Sequence, residues 1–177
     1  MIIEYTTAKT TDELLQILSL QKMNLRSSVS AEEMQQEGFV TVSHDLELLT
    51  RMNDACPHII AKDNDTVVGY ALSMVPSFKD EITVLQPMFH ELETLNIQNY
   101  LAMGQICIAK SHRKQGLFRG LYEAMKKTSY PNYEYIITEV DATNSRSLGA
   151  HLAIGFKIIC TYHSLGQDWE LISLKTY

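Results

Sequence analysis

Residues 106–122 read ICIAKSHRKQGLFRGLY, an apolar run that passes through a basic turn into a helical pattern. Apolar residues recur at helical spacing after the turn, which predicts a helix over residues 115–127 with its first turn at residues 115–118. The first N–H groups of a helix lack intrahelical partners and carry the positive end of its dipole. Gly116 has no side chain, so a bound group can approach the backbone closely. The turn is therefore predicted to hold a diphosphate, with a plain solvated basic helix start as the alternative.

The uneven distribution of charge supports a localised anion site. The chain has a net charge of −6, which disfavours a general nucleic-acid binder. Residues 1–99 carry a net charge of −9 and residues 100–177 one of +3. An acidic chain with one basic island indicates a localised anionic ligand rather than a long polyanion. The basic or potentially basic residues of that island are Lys110, His112, Arg113, Lys114 and Arg119.

Length and composition indicate one soluble globular domain over residues 1–177, with 45% hydrophobic and 20% charged residues. No stretch is long and apolar enough to span a membrane, and the N-terminus lacks a signal-peptide pattern, so a cytoplasmic protein is expected. The three cysteines are widely spaced and join no Cys/His cluster, so neither a disulfide framework nor a metal is predicted. Gly116 and Gly120 have the wrong spacing for a P-loop or a GxGxxG motif, which disfavours NTPases and dinucleotide enzymes.

Strand and helix patterns alternate along the second half of the chain, after a hairpin. A capping-box pattern at residues 10–13 precedes a first helix, and a second box at residues 30–33 precedes a short helix that Gly38 closes. Residues 76–99 contain only a short amphipathic piece. This order implies a mixed sheet that is covered on both faces. The predicted strands are residues 2–5, 58–61, 67–72, 103–109, 135–140, 156–161 and 169–174, and the later helices are residues 45–52, 115–127 and 144–153.

A second block, NSRSLGAHLAIGF, occupies residues 144–156. Together the two blocks resemble the motifs of the GNAT superfamily of acyl-CoA-dependent N-acetyltransferases. The acetyl-CoA motif of that family is Arg or Gln, two residues, Gly, one residue, and then Gly or Ala. Arg113, Gly116 and Phe118 fall on those places, and Phe118 departs from the usual small residue. The second block is similar to the family's Asn, a small residue three on, an aromatic residue or His four further, and Gly-Phe.

The resemblance covers residues 101–174 and implies the GNAT fold. That fold is a single α/β (α+β) domain with a mixed, mostly antiparallel sheet of six to seven strands, flanked by helices on both faces. The implied co-substrate is acetyl-CoA, with no metal. By position, the resemblance implies that backbone groups of the fourth strand bind the pantetheine arm and that the amides of the turn bind the pyrophosphate. It also implies that the second block binds the arm near its thioester end. These residues are Ile106, Cys107 and Ile108; Arg113, Lys114, Gln115, Gly116, Leu117, Phe118 and Arg119; and Asn144 with Ser147.

Two residues are candidates for the proton chemistry of acyl transfer to an amine. Glu139 stands five residues before Asn144, which resembles the catalytic Glu of the GNATs that acetylate ribosomal proteins at their N-termini. It is predicted to be a general base, with an edge-exposed or salt-bridged Glu as the alternative. His151 stands where most GNATs have a Tyr and is predicted to be a general acid, unless it only bonds near the sulfur or packs. Gln105 is a lesser candidate for positioning the substrate.

The resemblance leaves the acceptor open between a primary amine of a small molecule and a protein N-terminus. Its pocket is expected between the first two helices, residues 76–99 and a loop at residues 162–167. A catalytically inactive acyl-CoA sensor or interaction module is the alternative function. Because GNAT proteins often form dimers, the resemblance also allows a homodimer through residues 169–174. Neither nucleic acid nor membrane is expected as a partner. His44, His58, His90 and His163 are interpreted as ordinary surface or loop residues.

Overall fold

The computed structural model describes residues 2–30, 32 and 39–177, and it arranges seven strands in one sheet. The strands are β1 Ile3–Thr7, β2 Ile59–Asp63, β3 Thr66–Met74, β4 Tyr100–Ile108, β5 Tyr135–Asp141, β6 Lys157–Ser164 and β7 Gln167–Lys175. Their order in the sheet is β1-β2-β3-β4-β5-β7-β6. Neighbouring strands are antiparallel except β4 and β5, which are parallel. The predicted mixed, mostly antiparallel sheet is confirmed.

Five α-helices lie in the described residues and cover both faces of the sheet. They are α1 Thr11–Asn24, α2 Leu46–Ala55, α3 Gln86–Thr94, α4 Leu117–Ser129 and α5 Ser145–Ala153. The apolar side of α4 packs on one face through Leu117, Leu121 and Met125, each at most 2% exposed. Helices α1, α2 and α3 bury their apolar residues on the opposite face. The second predicted capping box and its helix, at residues 30–38, lie largely outside the described residues.

Helices α1 and α2 both begin directly after a residue whose side chain caps the helix. The Thr10 side chain accepts from the Glu13 N–H, and the Glu13 carboxylate accepts from the Thr10 N–H in return, which forms the predicted capping box of α1. Asp45 caps α2 by accepting from the Leu48 N–H at 2.8 Å. The Glu13 carboxylate also forms an ion pair with Lys62 of β2, which fastens the start of α1 to the sheet.

The unclear segment at residues 76–99 forms an insertion on the face that carries α1 and α2. Two short 3₁₀ turns, Pro76–Phe78 and Thr83–Leu85, precede α3. The apolar residues of the insertion are buried with residues of β4, β5, β6 and β7. The buried residues of the insertion are Phe78, Ile82, Leu85, Met88, Phe89 and Leu92.

Strands β4 and β5 separate after a short parallel contact. Only the pairs Tyr100–Tyr135, Leu101–Ile136 and Ala102–Ile137 join them. Beyond these pairs β4 follows β3, while β5 follows β7. The register between β3 and β4 slips at Gly104, which forms a bulge and reverses which later residues of β4 point to each face. A V-shaped gap therefore opens between the carboxyl-terminal halves of β4 and β5.

Two histidines interpreted as surface or loop residues lie in loops, but they are buried rather than at the surface. His58 is 0% exposed; its Nδ1 accepts from the Ser73 N–H, and its Nε2 donates to the Leu49 carbonyl. His44 is also buried, and its Nδ1 lies 2.9 Å from Gln21 Nε2. Burial lowers the pKa of each imidazole to about 4. Both rings are therefore neutral parts of the core.

Candidate active site

The basic turn before α4 forms a cradle of free backbone N–H groups. Helix α4 begins at Leu117 rather than at the predicted residue 115, because Lys114 and Gly116 both adopt positive φ angles, of 61° and 85°. No backbone N–H between Lys114 and Arg119 has a hydrogen-bond partner among the described residues. These donors and the positive end of the helix dipole suit a bound anion.

Gly116 keeps the mouth of this cradle open. A Cβ atom built on it would meet no atom within 4 Å, so the space in front of the turn is free for a ligand. Its φ of 85° belongs to the left-handed region, which glycine adopts without the strain that a side chain introduces. Glycine at this position therefore avoids backbone strain, and its lack of a side chain leaves the space in front of the turn open.

A cleft of about 260 Å³ lies beside the cradle and extends to the edge of β4 in the gap between the strands. It brings together ten of the twelve predicted cofactor residues. These are Ile106, Cys107, Ile108, Arg113, Lys114, Gly116, Leu117, Phe118, Asn144 and Ser147. One backbone edge of β4 pairs with β3, and the other edge faces the gap. This arrangement offers the cleft a row of unpaired backbone groups of the kind that extends a sheet.

The side chains of Gln115 and Arg119 do not line the cleft. Gln115 donates to the Ser111 carbonyl at 3.0 Å, and Arg119 donates to the Ala153 carbonyl at 3.2 Å. The structure gives both residues a place in the cradle through their backbone N–H groups alone. Arg113 lines the cleft but also donates to the Ile108 carbonyl and to Asn24 Oδ1, so it connects the turn to β4 and α1.

Asn144 lies at the opposite wall of the cleft and caps α5. Its Oδ1 accepts from the Ser147 N–H at 3.1 Å, so α5 begins at Ser145, one residue later than predicted. The cap holds Oδ1 and leaves the amide Nδ2 as a donor at the cleft wall. Arg146 lines the same wall in the first turn of α5. The fixed spacing within the second sequence block therefore places one donor and one cation together.

Glu139 lies on β5, and the Tyr162 hydroxyl of β6 donates a hydrogen bond to its Oε2 atom. Burial raises the pKa of Glu139 to about 7, against a smaller opposing effect of the Tyr162 hydrogen bond. Tyr162 lies within β6, not in the predicted loop, because the hairpin turn comes later, at Leu165 and Gly166. A carboxyl group with this pKa can accept and release a proton near neutral pH.

We expect Glu139→Gln to raise the free energy of unfolding relative to the parent at alkaline pH more than at acid pH. The pKa of Glu139 is about 7 in the folded chain and 4.5 ordinarily, so folding favours the protonated carboxyl. The contribution of the protonated carboxyl to the free energy of unfolding is fully present below pH 4.5. It is lost as the pH rises through about 7, where the buried carboxyl ionises. The free energy of unfolding of the variant, relative to that of the parent, should therefore rise by about 3 kcal/mol between acid and alkaline pH. Urea unfolding across pH measures this, and a constant difference between the two proteins would contradict it.

His151 lies in an aromatic cluster rather than on the cleft wall. It is 2% exposed, and its ring centroid is 4.9 Å from that of Phe118 and 5.0 Å from that of Phe156. Its Nδ1–H donates to the Ser147 carbonyl at 2.7 Å, so Nε2 accepts from the Tyr122 hydroxyl at 2.8 Å. Burial lowers its pKa to about 4. The general-acid role stays a prediction that this geometry does not favour.

A structural role for His151 has a direct consequence for stability. His151→Ala should lower the free energy of unfolding by about 2–4 kcal/mol, because it removes two buried hydrogen bonds and the ring that fills the cluster. Urea unfolding at neutral pH measures the loss. An unfolding free energy equal to that of the parent, together with weakened turnover, would instead favour the general-acid prediction.

Gln105 belongs to a buried network of polar side chains. Its Oε1 accepts from the Tyr70 hydroxyl at 2.6 Å and from Gln21 at 2.8 Å, while its Nε2 donates to the Val42 carbonyl. The Gln105 side chain, predicted to position the substrate, therefore forms most of its hydrogen bonds with other groups of the protein. Its effect is to attach α1 and the chain before α2 to β4.

Five residues that the sequence interpretation did not name also line the cleft. They are Asn24, Phe39, Val40, Arg146 and Ala150. Arg146 could have been found, because it follows Asn144 by two residues in the quoted block. The wall near Asn24 and Val40 depends on a backbone contact between the end of α1 and residue 40, which no local pattern reveals. Within the described residues, no metal-ligand group of three His, Cys, Asp or Glu forms, and no helix has the length and apolarity to cross a bilayer.

The family of the chain follows from comparison with known proteins. The profile of the Acetyltransferase (GNAT) family matches residues 14–156, which include both sequence blocks and the cleft. The chain therefore belongs to the GNAT acetyltransferase family. A search of curated proteins finds no match.

Solved structures show the same fold at low sequence identity. The ribosomal-protein-S18-alanine N-acetyltransferase from Escherichia coli is 13% identical with a TM-score of 0.66, covering 99% of this chain and 94% of its own. Ard1 from Thermoplasma volcanium is 12% identical with a TM-score of 0.68, covering 99% and 98%. A putative acetyltransferase from Salmonella typhimurium, solved with its cofactor acetyl-CoA, is 12% identical with a TM-score of 0.65, covering 100% and 95%.

Proposed function

We propose that this protein transfers the acetyl group of acetyl-CoA to a primary amine, by direct attack within a ternary complex. The observation that carries the proposal is the cradle of free N–H groups from Lys114 to Arg119, which opens onto the gap between β4 and β5. An anion held at the cradle and an arm laid along β4 would bring the far end of the ligand toward β5, the strand of Glu139.

The residues of the cleft fit acetyl-CoA part by part. The turn and the cations Arg113 and Lys114 suit a pyrophosphate, and the open space at Gly116 lets it reach the backbone. The free edge of Ile106–Ile108 suits the amide groups of a pantetheine arm, and Asn144 Nδ2 adds a donor from the other wall. Bound acetyl-CoA supplies the acetyl group as a thioester, whose transfer forms an amide and releases the CoA thiol.

Glu139 acts as the general base that takes a proton from the acceptor amine. Amine attack requires a neutral nitrogen, so a proton must leave the acceptor ammonium, directly or through one water. Burial keeps the pKa of Glu139 near 7, so the carboxylate is available at neutral pH and is a stronger base than an exposed one. The leaving thiolate is stable enough to depart without a dedicated acid, and His151 is not needed for this chemistry.

The acceptor is either a small-molecule amine or a protein N-terminus. Two of the similar folds support including peptides: the enzyme named for the alanine of ribosomal protein S18, and the NatC complex bound to Gag peptide. The experiment is incubation with acetyl-CoA and a panel of polyamines, amino sugars and N-terminal peptides, with release of free thiol as the readout. Tight acetyl-CoA binding without thiol release above background for every acceptor would replace this proposal with the acyl-CoA sensor.

A further inference from the structure

Tyr162 reaches Glu139 from two strands away. Strand β7 lies between β5 and β6, and it pairs Leu171 with Glu139 and Trp169 with Tyr162. The two polar side chains therefore meet across β7, on the face of the sheet that the insertion covers. Tyr162 is 9% exposed and packs in the same cluster as Ile137 and Leu171. Such packing holds the phenol in place, and among the described residues its hydroxyl donates to one acceptor, Glu139.

The hydrogen bond makes the two oxygens of the Glu139 carboxylate different from each other. Tyr162 donates to Oε2. For the part of the chain that the structure describes, no group bonds Oε1. Burial and the nearby Glu139 raise the pKa of Tyr162, so the phenol stays protonated and remains a donor throughout the working pH range. One oxygen is thus always occupied and the other is available.

We propose that Tyr162 is the positioning residue of the reaction: its phenol holds Oε2 of Glu139 and presents Oε1 as the oxygen that takes the proton from the acceptor amine. This inference rests on the proposed role of Glu139 as the base. In the step, a proton passes from the acceptor nitrogen to Oε1 and the nitrogen keeps the electron pair with which it attacks. Tyr162 gives up no proton, so its function differs from acid catalysis.

The hydrogen bond also has an electrostatic effect with a definite sign. It stabilises the ionised carboxylate and so lowers the pKa of Glu139, against burial, which raises it. Of the neighbouring titratable groups, Glu91 of α3 and Cys160 of β6 act on Tyr162, whereas the residue paired with Glu139 on β7, Leu171, does not titrate. Loss of the phenol hydroxyl should therefore move the pKa of Glu139 further upward.

The test is the pH dependence of Tyr162→Phe. We expect the acid limb of its kcat/KM profile to move about one unit upward, since a hydrogen bond to a charged group corresponds to a shift of that order. The matched control is Tyr100→Phe, a second buried tyrosine of the same cluster, whose limb should stay with the parent. An unshifted limb in Tyr162→Phe, with lower activity at every pH, would reduce Tyr162 to a packing residue.

A second readout does not depend on turnover. With ¹³C-labelled glutamate, NMR titration of the carboxyl carbon follows the Glu139 ionisation, and its resonance is assigned by its loss in Glu139→Gln. The titration midpoint should move upward in Tyr162→Phe and stay in Tyr100→Phe, and an unmoved midpoint in Tyr162→Phe overturns the inference. If the midpoint moves while Glu139→Gln keeps full turnover, the hydrogen bond acts as described but the base has been misassigned. That result removes the proposed function of Glu139 and the positioning role with it.

Discussion

Glu139→Gln is expected to lower acetyl transfer about 100- to 1,000-fold while leaving acetyl-CoA affinity unchanged, as is usual when a general base is removed. Glutamine keeps the size of the side chain and can still accept from Tyr162, but it cannot take a proton. Glu139 is not among the residues that line the cleft, so acetyl-CoA should bind as before. Steady-state kinetics with the best acceptor and calorimetry with acetyl-CoA measure the two effects separately.

The pH profile adds a second criterion for the same variant. Because the carboxylate must be ionised to act, activity of the parent should fall as pH drops through about 7, and this limb should disappear in Glu139→Gln. Glu123→Gln makes the same change of charge on the exposed side of α4 and should behave as the parent. Turnover within about threefold of the parent in Glu139→Gln would exclude the base role, since a base contributes more than that.

Gly116→Glu is expected to weaken acetyl-CoA binding at least about 100-fold. A carboxylate at the mouth of the cradle would stand beside the bound pyrophosphate, and two charges at contact distance near a protein surface repel by a few kcal/mol. The left-handed φ of 85° adds backbone strain of about 1 kcal/mol, because the new side chain has a Cβ. Calorimetric titration with acetyl-CoA measures the loss, and circular dichroism verifies that the fold persists.

Gly166 provides a matched control for the strain. It lies in the turn between β6 and β7, has a φ of 80°, and would also meet no atom within 4 Å of a Cβ. Gly166→Glu therefore carries the same charge and a similar backbone cost at a position outside the cleft lining, and it should bind acetyl-CoA as the parent does. Equal weakening in the two variants would attribute the effect to global destabilisation. Unchanged binding in Gly116→Glu would place the pyrophosphate elsewhere.

Local chemistry made much of the fold predictable from sequence. The capping box at Thr10, the helical period after the basic turn and the strand before it are signals carried by neighbouring residues, and each corresponds to an observed element, although the bounds of the strand and of the helix differ from those predicted. The start of α4 was displaced because positive φ angles at Lys114 and Gly116 precede the helix, and apolar spacing does not register them. The insertion was obscure because two short 3₁₀ turns and one short helix share it, together with Pro76 and Pro87, so no single hydrophobic period runs through it.

In the candidate site, too, the residues within contiguous motifs could be predicted from the sequence, and the contacts between distant segments could not. The cradle and the Asn144 cap lie within contiguous motifs, so their residues could be named in advance. Contacts that close over long sequence separations could not. Tyr162 meets Glu139 from 23 residues away, and Gln105 bonds Gln21 from 84 residues away. Burial of His44 and His58 likewise depends on partners from other elements, and their polar character alone suggested the surface.

The insertion at residues 76–99 has a consequence for how this protein could diverge. Met74 and Ala102, which flank it, are partners in the β3–β4 pairing, so the chain leaves and re-enters the sheet at neighbouring points. A segment anchored in this way can be lengthened, shortened or exchanged at a small cost in loop closure. Its helix packs in the cluster that contains Tyr162, whereas the cradle before α4 lies at a different part of the chain. This one segment can therefore change in sequence or length during evolution, or be exchanged by grafting, while the sequence of the cradle is left unchanged.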